Sequence, residues 1–295
     1  MNLFNLSNHL NLSSGPAALL SSKTRGCRWR GGILCLLALA APVAIAATLN
    51  IGGTGTGAGI IRLLAEGFAR VAPGVTVVVV PNLGTGEGLR AVAAGAIHAA
   101  VVSRPLTTDE DANGLVALEY GKTPFVFATA VSNAGGFKTV AELAEVDAGR
   151  RQTWPDGTPI RLIMRPKNDG DTLLLESVSP AMKQAVQSAM AQPGMVVSAT
   201  DQDAADAMEM TPGALGTSSL ALISSEGHTL HMLPVNGVAP SPKTIADVTY
   251  PFVKTLFLVR KIGADDGVMR FFDFVASSAR RQILLNLGYW VPAGK

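Results

Sequence analysis

The residues whose types and spacing could do chemistry gather where strand patterns run into helix patterns. In "TLNIGGTGTGAGIIRLLAEGFARV" (Thr48 to Val71) a short strand, a glycine-rich turn and an amphipathic helix follow one another. Gly53-Thr54-Gly55-Thr56-Gly57-Ala58 fits G-x-G-x-x-A, the pattern that opens a dinucleotide-binding unit. Such a unit also needs an acidic residue at the end of its second strand to hold the ribose hydroxyls. Here that strand ends Val79-Val80-Pro81-Asn82, with neither an acid nor an arginine for a 2′-phosphate. The dinucleotide reading loses its support, but the physics of the turn remains. Backbone N–H groups at a helix N-terminus, with the positive end of the helix dipole behind them, suit a small oxyanion.

The arrangement recurs. Gly84-Thr85-Gly86-Glu87-Gly88 follows the second strand pattern, Ser103-Arg104-Pro105-Leu106 the third, and Arg165 to Thr172 a fourth. Any one of these is an ordinary turn between a strand and a helix. Four of them, rich in Gly, Ser, Thr and Arg, point to a cleft at the C-terminal ends of strands.

The fourth junction, Arg165-Pro166-Lys167-Asn168-Asp169-Gly170-Asp171-Thr172, brings two carboxylates toward that cleft, and Glu87 adds a third near the second loop. Carboxylates facing a dianion are costly unless protonated, paired with Arg165, Arg104 or Lys167, or turned outward. Three readings stand. Asp169 or Asp171 caps the next helix; the acids orient Arg104 and Arg165 for an oxyanion; or they bind a cationic or protonated ligand.

Positioning these loops requires alternating strands and helices. "VTVVVVP" reads as a strand apolar on both faces, followed by the turn "NLGTGEG" and the helix "LRAVAAGA". Strands "HAAVVS", "PFVFATAV" and "PIRLIMR" alternate with helices "TVAELAEV" and "TLLLESVSPAM". "DQDAADAMEM" is helical, "GALGTSSLALI" a turn and strand, "YPFVKTLFLVRK" a long strand, and "MRFFDFVASSARRQILLNLG" a final helix. This order predicts an α/β architecture.

The first 46 of the 295 residues read differently. Lys23, Arg25, Arg28 and Arg30 precede the apolar run "GGILCLLALAAPVAIA", which ends in Ala44-Ile45-Ala46. A basic segment, a short apolar core and an A-x-A site make a signal peptide, with cleavage near Ala46. Its removal takes four positive charges and no negative ones, so the net charge falls from +2 to −2. No basic stripe for nucleic acid remains. Cys27 and Cys35 leave with it, which excludes disulfides, thiol nucleophiles and cysteine metal sites from the mature chain.

Other features carry less. His228 and His231 form a lone H-x-x-H without a third ligand in view, and read as an edge-strand or loop pair. Asp201, Asp203 and Asp206 read as a solvated helix face with its cap, since a calcium loop's glycine and terminal glutamate are missing. Trp154 and Trp290 read as packing residues. No G-x-S-x-G elbow, nucleophile–base pair or paired catalytic carboxylates stands out, so an enzyme is not expected.

In their order and spacing, "GGTGTGAGIIRLLAEGF", "PGVTVVVVPNLGTGEGLRAVAAGAIHAAVVSRPL", "TPGALGTSSLALI", "NGVAPS", "YPFVKTLFLV" and "FFDFVASSARRQILLNLGYWVP" resemble the substrate-binding proteins of phosphate ABC transporters. The resemblance spans nearly the whole mature chain and implies the two-lobed type II periplasmic-binding-protein fold. Lobe one would comprise residues 48–125 and 255–295, and lobe two residues 126–254. "PFVFATAV" and "YPFVKTLFLV" would be the crossing strands. The resemblance also implies an oxyanion, phosphate first, held between the lobes by Thr56, Gly57 and Ala58 of the first loop, with Thr85 and Gly86 of the second. Ser103 and Arg104 would serve from the third, and Arg165, Asp169, Gly170, Asp171 and Thr172 from the fourth. The fourth loop departs from the family's Ser-Gly-Thr. Arg104 stands where some members carry Asp, adding bidentate anion binding but losing a proton acceptor. The implied protein is periplasmic or secreted, monomeric, without cofactor or metal, and delivers its ligand to an ABC permease. Alternatives are tungstate, molybdate or sulfate as ligand, or a ligand-sensing module of the same fold without transport.

Overall fold

The computed structural model describes residues 47–81 and 83–291, so the expected leader lies outside the described residues. The strands are β1 (Ala47–Gly53), β2 (Val75–Val79), β3 (Ala99–Val102), β4 (Leu115–Thr129), β5 (Arg161–Met164), β6 (Val196–Val197), β7 (Ala214–Ser219), β8 (His231–Met232) and β9 (Val253–Lys261). The helices are α1 (Ala58–Ala69), α2 (Thr85–Ala93), α3 (Thr108–Ala112), α4 (Val140–Asp147), α5 (Gly170–Val178), α6 (Pro180–Met190), α7 (Asp201–Met210), α8 (Leu220–Glu226), α9 (Pro242–Ala246), α10 (Asp266–Ala276) and α11 (Arg281–Asn286). The α/β class expected from the sequence is the one observed.

The strands line up as β2-β1-β3-β9-β4-β7-β5-β6, with β8 on β4. β1 pairs parallel with β2 and β3, and β7 and β6 pair parallel with β5. β4 and β9 join these two groups, antiparallel to each other from Leu115↔Lys261 to Pro124↔Val253, with a bulge between Glu119 and Gly121. β9 then pairs β3, and β4 pairs β7. The apolar runs read as long strands therefore occupy the centre of the sheet. β2, read as apolar on both faces, is an end strand of this order, and Thr76 and Val78 on it are exposed.

The hydrophobic clusters follow the same division. Ile51, Ile60, Leu64, Phe68, Leu258 and Phe271 belong to one, with Leu89 and Val102 in a smaller one beside it. Phe125, Phe127, Trp154, Met182, Leu215 and Tyr250 form another, next to a cluster around Ile163 and Met208. Trp154 packs as expected and donates its indole N–H to the Gly213 carbonyl at 3.0 Å.

The final helix read through "MRFFDFVASSARRQILLNLG" is two, α10 and α11, divided at Ser277, and three further element boundaries differ from the sequence pattern, each for a local reason. α2 starts at Thr85, so the expected turn "GTGEG" is largely the helix's first turn, entered through Gly84. "LALI" is helix, because the Ser219 hydroxyl accepts the Leu222 N–H and caps α8. The helix read through "TLLLESVSPAM" breaks at Ser179, which caps α6 with Pro180 at its first position. Close approach fixes one glycine. Gly53 has φ 122°, and a Cβ there would lie 2.0 Å from the Val101 carbonyl oxygen. No side chain fits where β1 hands over to the first loop.

Candidate functional site

β1 ends at Gly53, and Gly55–Gly57 form a short 3-10 turn into α1. Within it Gly57 N–H bonds the Thr54 carbonyl and Ala58 N–H the Gly55 carbonyl, so both donors are used inside the turn. Thr56 is different. Its N–H donates to Asp201 Oδ2 at 3.1 Å and its hydroxyl to Oδ1 at 3.3 Å, while the Thr54 hydroxyl reaches Oδ2 at 3.2 Å. α1 has no side-chain cap at its N-terminus, so its positive dipole end adds to these donors.

The second and third loops meet directly. Thr85 Oγ1 lies 3.2 Å from Ser103 Oγ and accepts the Ser103 N–H at 3.3 Å. Gly170, at the start of α5, packs against the same serine, and a Cβ on it would lie 3.0 Å from Ser103 Oγ. Thr85, Gly86, Ser103, Arg104 and Gly170 thus line one cleft of about 450 Å³, with Lys254 in its wall. Arg104 sits at its exposed side and grips Glu110 with two hydrogen bonds of 2.8 Å. That bidentate hydrogen bond holds the Glu110 carboxyl down at about 2. Arg104 thus forms an ion pair at the rim of the cleft.

In the fourth loop Arg165 is 4% exposed. It donates to the Ser198 carbonyl at 2.7 Å and to Asp169 Oδ2 at 2.9 Å, and its Nε is buried without a hydrogen-bond partner. Asp169 is the N-cap of α5, its Oδ1 accepting the Asp171 N–H at 2.9 Å. It therefore both caps the helix and orients Arg165. Thr172 spends its hydroxyl on the Arg165 carbonyl at 3.1 Å. Asp171 points inward, where it meets the Lys254 ammonium and accepts the Thr217 hydroxyl at 3.3 Å.

Two residues at the centre were not foreseen. Lys254, on β9 and 3% exposed, donates to Thr56 Oγ1 at 3.0 Å and lies 3.4 Å from Asp201 Oδ1. Its only sequence signal is a lone charge inside the apolar run "YPFVKTLFLV". Asp201, expected on a solvated face, is 6% exposed and bonded as described above. It opens α7 behind the Thr200 cap, so its sequence context is that of any helix-starting acid. Asp203 and Asp206 are exposed as expected.

Electrostatics explains how these charges share a buried space. Burial alone would raise Asp201, but Lys254, Arg165 at 4.0 Å and the Thr56 and Thr54 donors hold it down at about 2. Burial dominates at Asp171, helped by the Asp201 and Asp169 carboxylates, and pushes it up to about 6 despite Lys254. Burial disfavours the charged Lys254, yet Asp171 and Asp201 more than compensate and keep it protonated. Arg165 and Lys254 thus face Asp169, Asp171 and Asp201, a network compensated by pairing rather than by water.

Thr200 fixes the first turn that carries Asp201: its hydroxyl accepts the Asp203 N–H at 3.0 Å, and Asp203 Oδ2 accepts the Thr200 N–H at 3.1 Å. Thr200→Ala is expected to cost about 1 kcal/mol in urea unfolding. A loss below about 0.3 kcal/mol would show that the box does not set this turn.

Of the H-x-x-H, His228 brings its ligand atom within 4.8 Å of those of Asp206 and Glu209. His231 lies on β8, whereas His228 Nδ1 is 3.2 Å from Glu209 Oε2. No helix of the described residues is long and apolar enough to cross a membrane.

The family model of the PBP superfamily domain matches residues 40–279. Among solved structures, the fold is similar to that of a candidate phosphate ABC transporter substrate-binding protein with bound phosphate from Clostridium perfringens. That pair has a TM-score of 0.72 at 16% identity, covering 83% of this chain and 100% of the other. An ABC-type phosphate transport receptor from Vibrio cholerae gives a TM-score of 0.59 at 20% identity over 83% of this chain and 100% of its own. The effector binding domain of QuiR in complex with shikimate gives 0.54 at 12% identity over 80% and 98%. No curated protein sequence matches the chain. At these identities the likeness to solved structures is one of fold.

Proposed function

Because this chain belongs to the PBP superfamily, we propose that it is an exported substrate-binding protein. In this reading it captures a small oxyanion, phosphate first, in a cleft between two lobes and delivers it to an ABC-type permease. The observation that carries the reading is the convergence of Thr85, Gly86, Ser103, Arg104 and Gly170, from three separate loops, on one cleft beside buried Lys254. Hydroxyls, a helix N-terminus and a cation are the chemistry that holds a small anion. Arg165, whose Nε is buried without a hydrogen-bond partner, lines a neighbouring pocket with Thr54, Gly55 and Asp201, and folded proteins rarely leave such a donor unused.

Residues 48–125 with 255–295 form lobe one, and residues 126–254 lobe two. The separate hydrophobic clusters and the two joining strands β4 and β9 support this division. Capture is by lobe closure about those strands, and no bond is made or broken. The protein acts outside the cytoplasm as a monomer, after loss of residues 1–46. A ligand-sensing module is the second reading, favoured by the fold likeness to the QuiR effector domain; binding to permease-containing membranes that depends on bound ligand separates the two.

The test is calorimetric titration of phosphate, sulfate, molybdate and tungstate into the full chain, dialysed free of ligand. Phosphate is expected to bind, and Ser103→Ala to bind it about tenfold more weakly, the worth of one hydrogen bond. No heat with any of the four oxyanions would overturn the reading.

A further inference from the structure

The donors of the first loop are not waiting for a ligand; they already hold a carboxylate. Thr56 N–H, the Thr54 and Thr56 hydroxyls and the Lys254 ammonium all converge on the two oxygens of Asp201, within 3.1 to 3.4 Å. Arg165 stands behind them at 4.0 Å. A backbone N–H at a helix start, hydroxyls and two cations form the same donor set that an oxyanion would use. Thr54 and Thr56 lie between β1 and α1, while Asp201 opens α7, so the contact bridges the two halves of the sheet.

We propose that Asp201 is a resident occupant of the first-loop oxyanion nest, and that the ligand binds fully only by displacing its carboxylate. The proposal rests on the oxyanion reading above and adds a built-in competitor to it. Neighbouring contacts hold the occupant in place. Gln202 Nε2 donates to the Gly55 carbonyl and to Glu226 Oε1, both at 3.0 Å, and Arg62 pairs with the same Glu226 at 3.5 Å. Gly55 is shaped to this contact, since a Cβ on it would lie 2.2 Å from Gln202 Oε1 and 2.8 Å from Asp201 Oδ2.

A tethered competitor acts at an effective concentration set by its linkage, not by the solution. Apparent affinity falls by the fraction of molecules in which the nest is open. Such a protein responds to ligand over a higher concentration range than its donor set alone would produce. Asp201 thereby sets both the affinity and the charge of the ligand accepted, because an oxyanion must outcompete a carboxylate held by the same groups.

The experiment is titration of inorganic phosphate into the full chain, wild type against Asp201→Asn, with melting temperatures alongside. Asp201→Asn keeps the shape and removes the charge, and is expected to bind phosphate at least tenfold more tightly. Asp206→Asn removes the same charge at an exposed position of the same helix and is expected to change affinity less than twofold. Equal or weaker binding by Asp201→Asn, with wild type binding phosphate, overturns the proposal and leaves the oxyanion reading standing. An equal gain in Asp206→Asn also overturns it, since the effect would then be one of net charge. Should Asp201→Asn not fold, Gln202→Ala, which loosens the adjacent contact, is expected to gain about threefold, and no gain overturns the proposal. If neither wild type nor Asp201→Asn binds phosphate, sulfate, molybdate or tungstate, the oxyanion reading falls and this proposal with it.

Discussion

Lys254→Met unfolds with about 3–5 kcal/mol less free energy than the wild type, a fall in melting temperature of roughly 10 °C. The lysine is 3% exposed on β9, between the carboxylates of Asp171 and Asp201 and 5.7 Å from the centre of the Phe125 ring. Methionine replaces the volume but not the charge. Two buried carboxylates would then lack their shared cation, and removing one partner of a buried ion pair is the costly direction of change. Lys254 also belongs to the wall of the 450 Å³ cleft, so on the oxyanion reading the same substitution is expected to weaken phosphate binding. Urea unfolding of wild type, Lys254→Met and the double variant Lys254→Met/Asp171→Asn checks the cause. If the damage comes from uncompensated carboxylate, the double variant recovers at least half of the loss. A loss below about 1 kcal/mol in the single variant, or no recovery in the double, would show that Lys254 is not what neutralises this space.

The second large effect lies away from the cleft. Asp147 ends α4, is 5% exposed, and lines a small cavity with Phe127, Leu143 and Leu175. Burial pushes its carboxyl from the ordinary 3.8 up to about 7. The folded state therefore holds this proton more tightly than the unfolded chain does. Between about pH 4 and pH 7 the folded state binds more protons, so stability falls as pH rises through that window. The full distance from 3.8 to about 7 corresponds to about 4 kcal/mol, all of it lost by pH 8. Asp171, raised to about 6, acts in the same direction. Asp201, lowered to about 2, acts oppositely, contributing stability above pH 4 that disappears as pH falls toward 2. Asp147→Asn is expected to raise stability at pH 8 by about 2–4 kcal/mol and to change it little at pH 3, below the ordinary carboxylate value. Unfolding free energies at the two pH values measure this, and an equal change at both would rule out ionisation of Asp147 as the source.

The sequence by itself determined most of the elements and which strand-to-helix junctions gather around the candidate cleft. Strand patterns such as "HAAVVS" and helix patterns such as "DQDAADAMEM" are local: period, capping residue and breaker lie within a few positions of one another. The loops that carry Thr85, Ser103, Arg104 and Gly170 were legible because each joins a strand to a helix, and strand ends of a parallel arrangement share one edge. Boundaries were less legible where two local preferences compete, as at Ser219, whose capping hydroxyl turns "LALI" from strand into helix.

Only the tertiary structure decided which charges meet. Asp201 and Thr56 are separated by 145 positions, and Lys254 and Thr56 by 198. Nothing near Asp201 distinguishes it from Asp203, two residues on, which is exposed. The difference is that α7 begins beside the first loop, so its opening residue enters a nest of donors and the third one does not. Lys254 was visible as a lone charge in an apolar strand, but its role depends on the antiparallel pairing of β9 with β4 that places it between both halves of the sheet. A donor set can be read from a strand, a glycine turn and a helix start. What occupies it is a balance of long-range contacts that no short segment encodes.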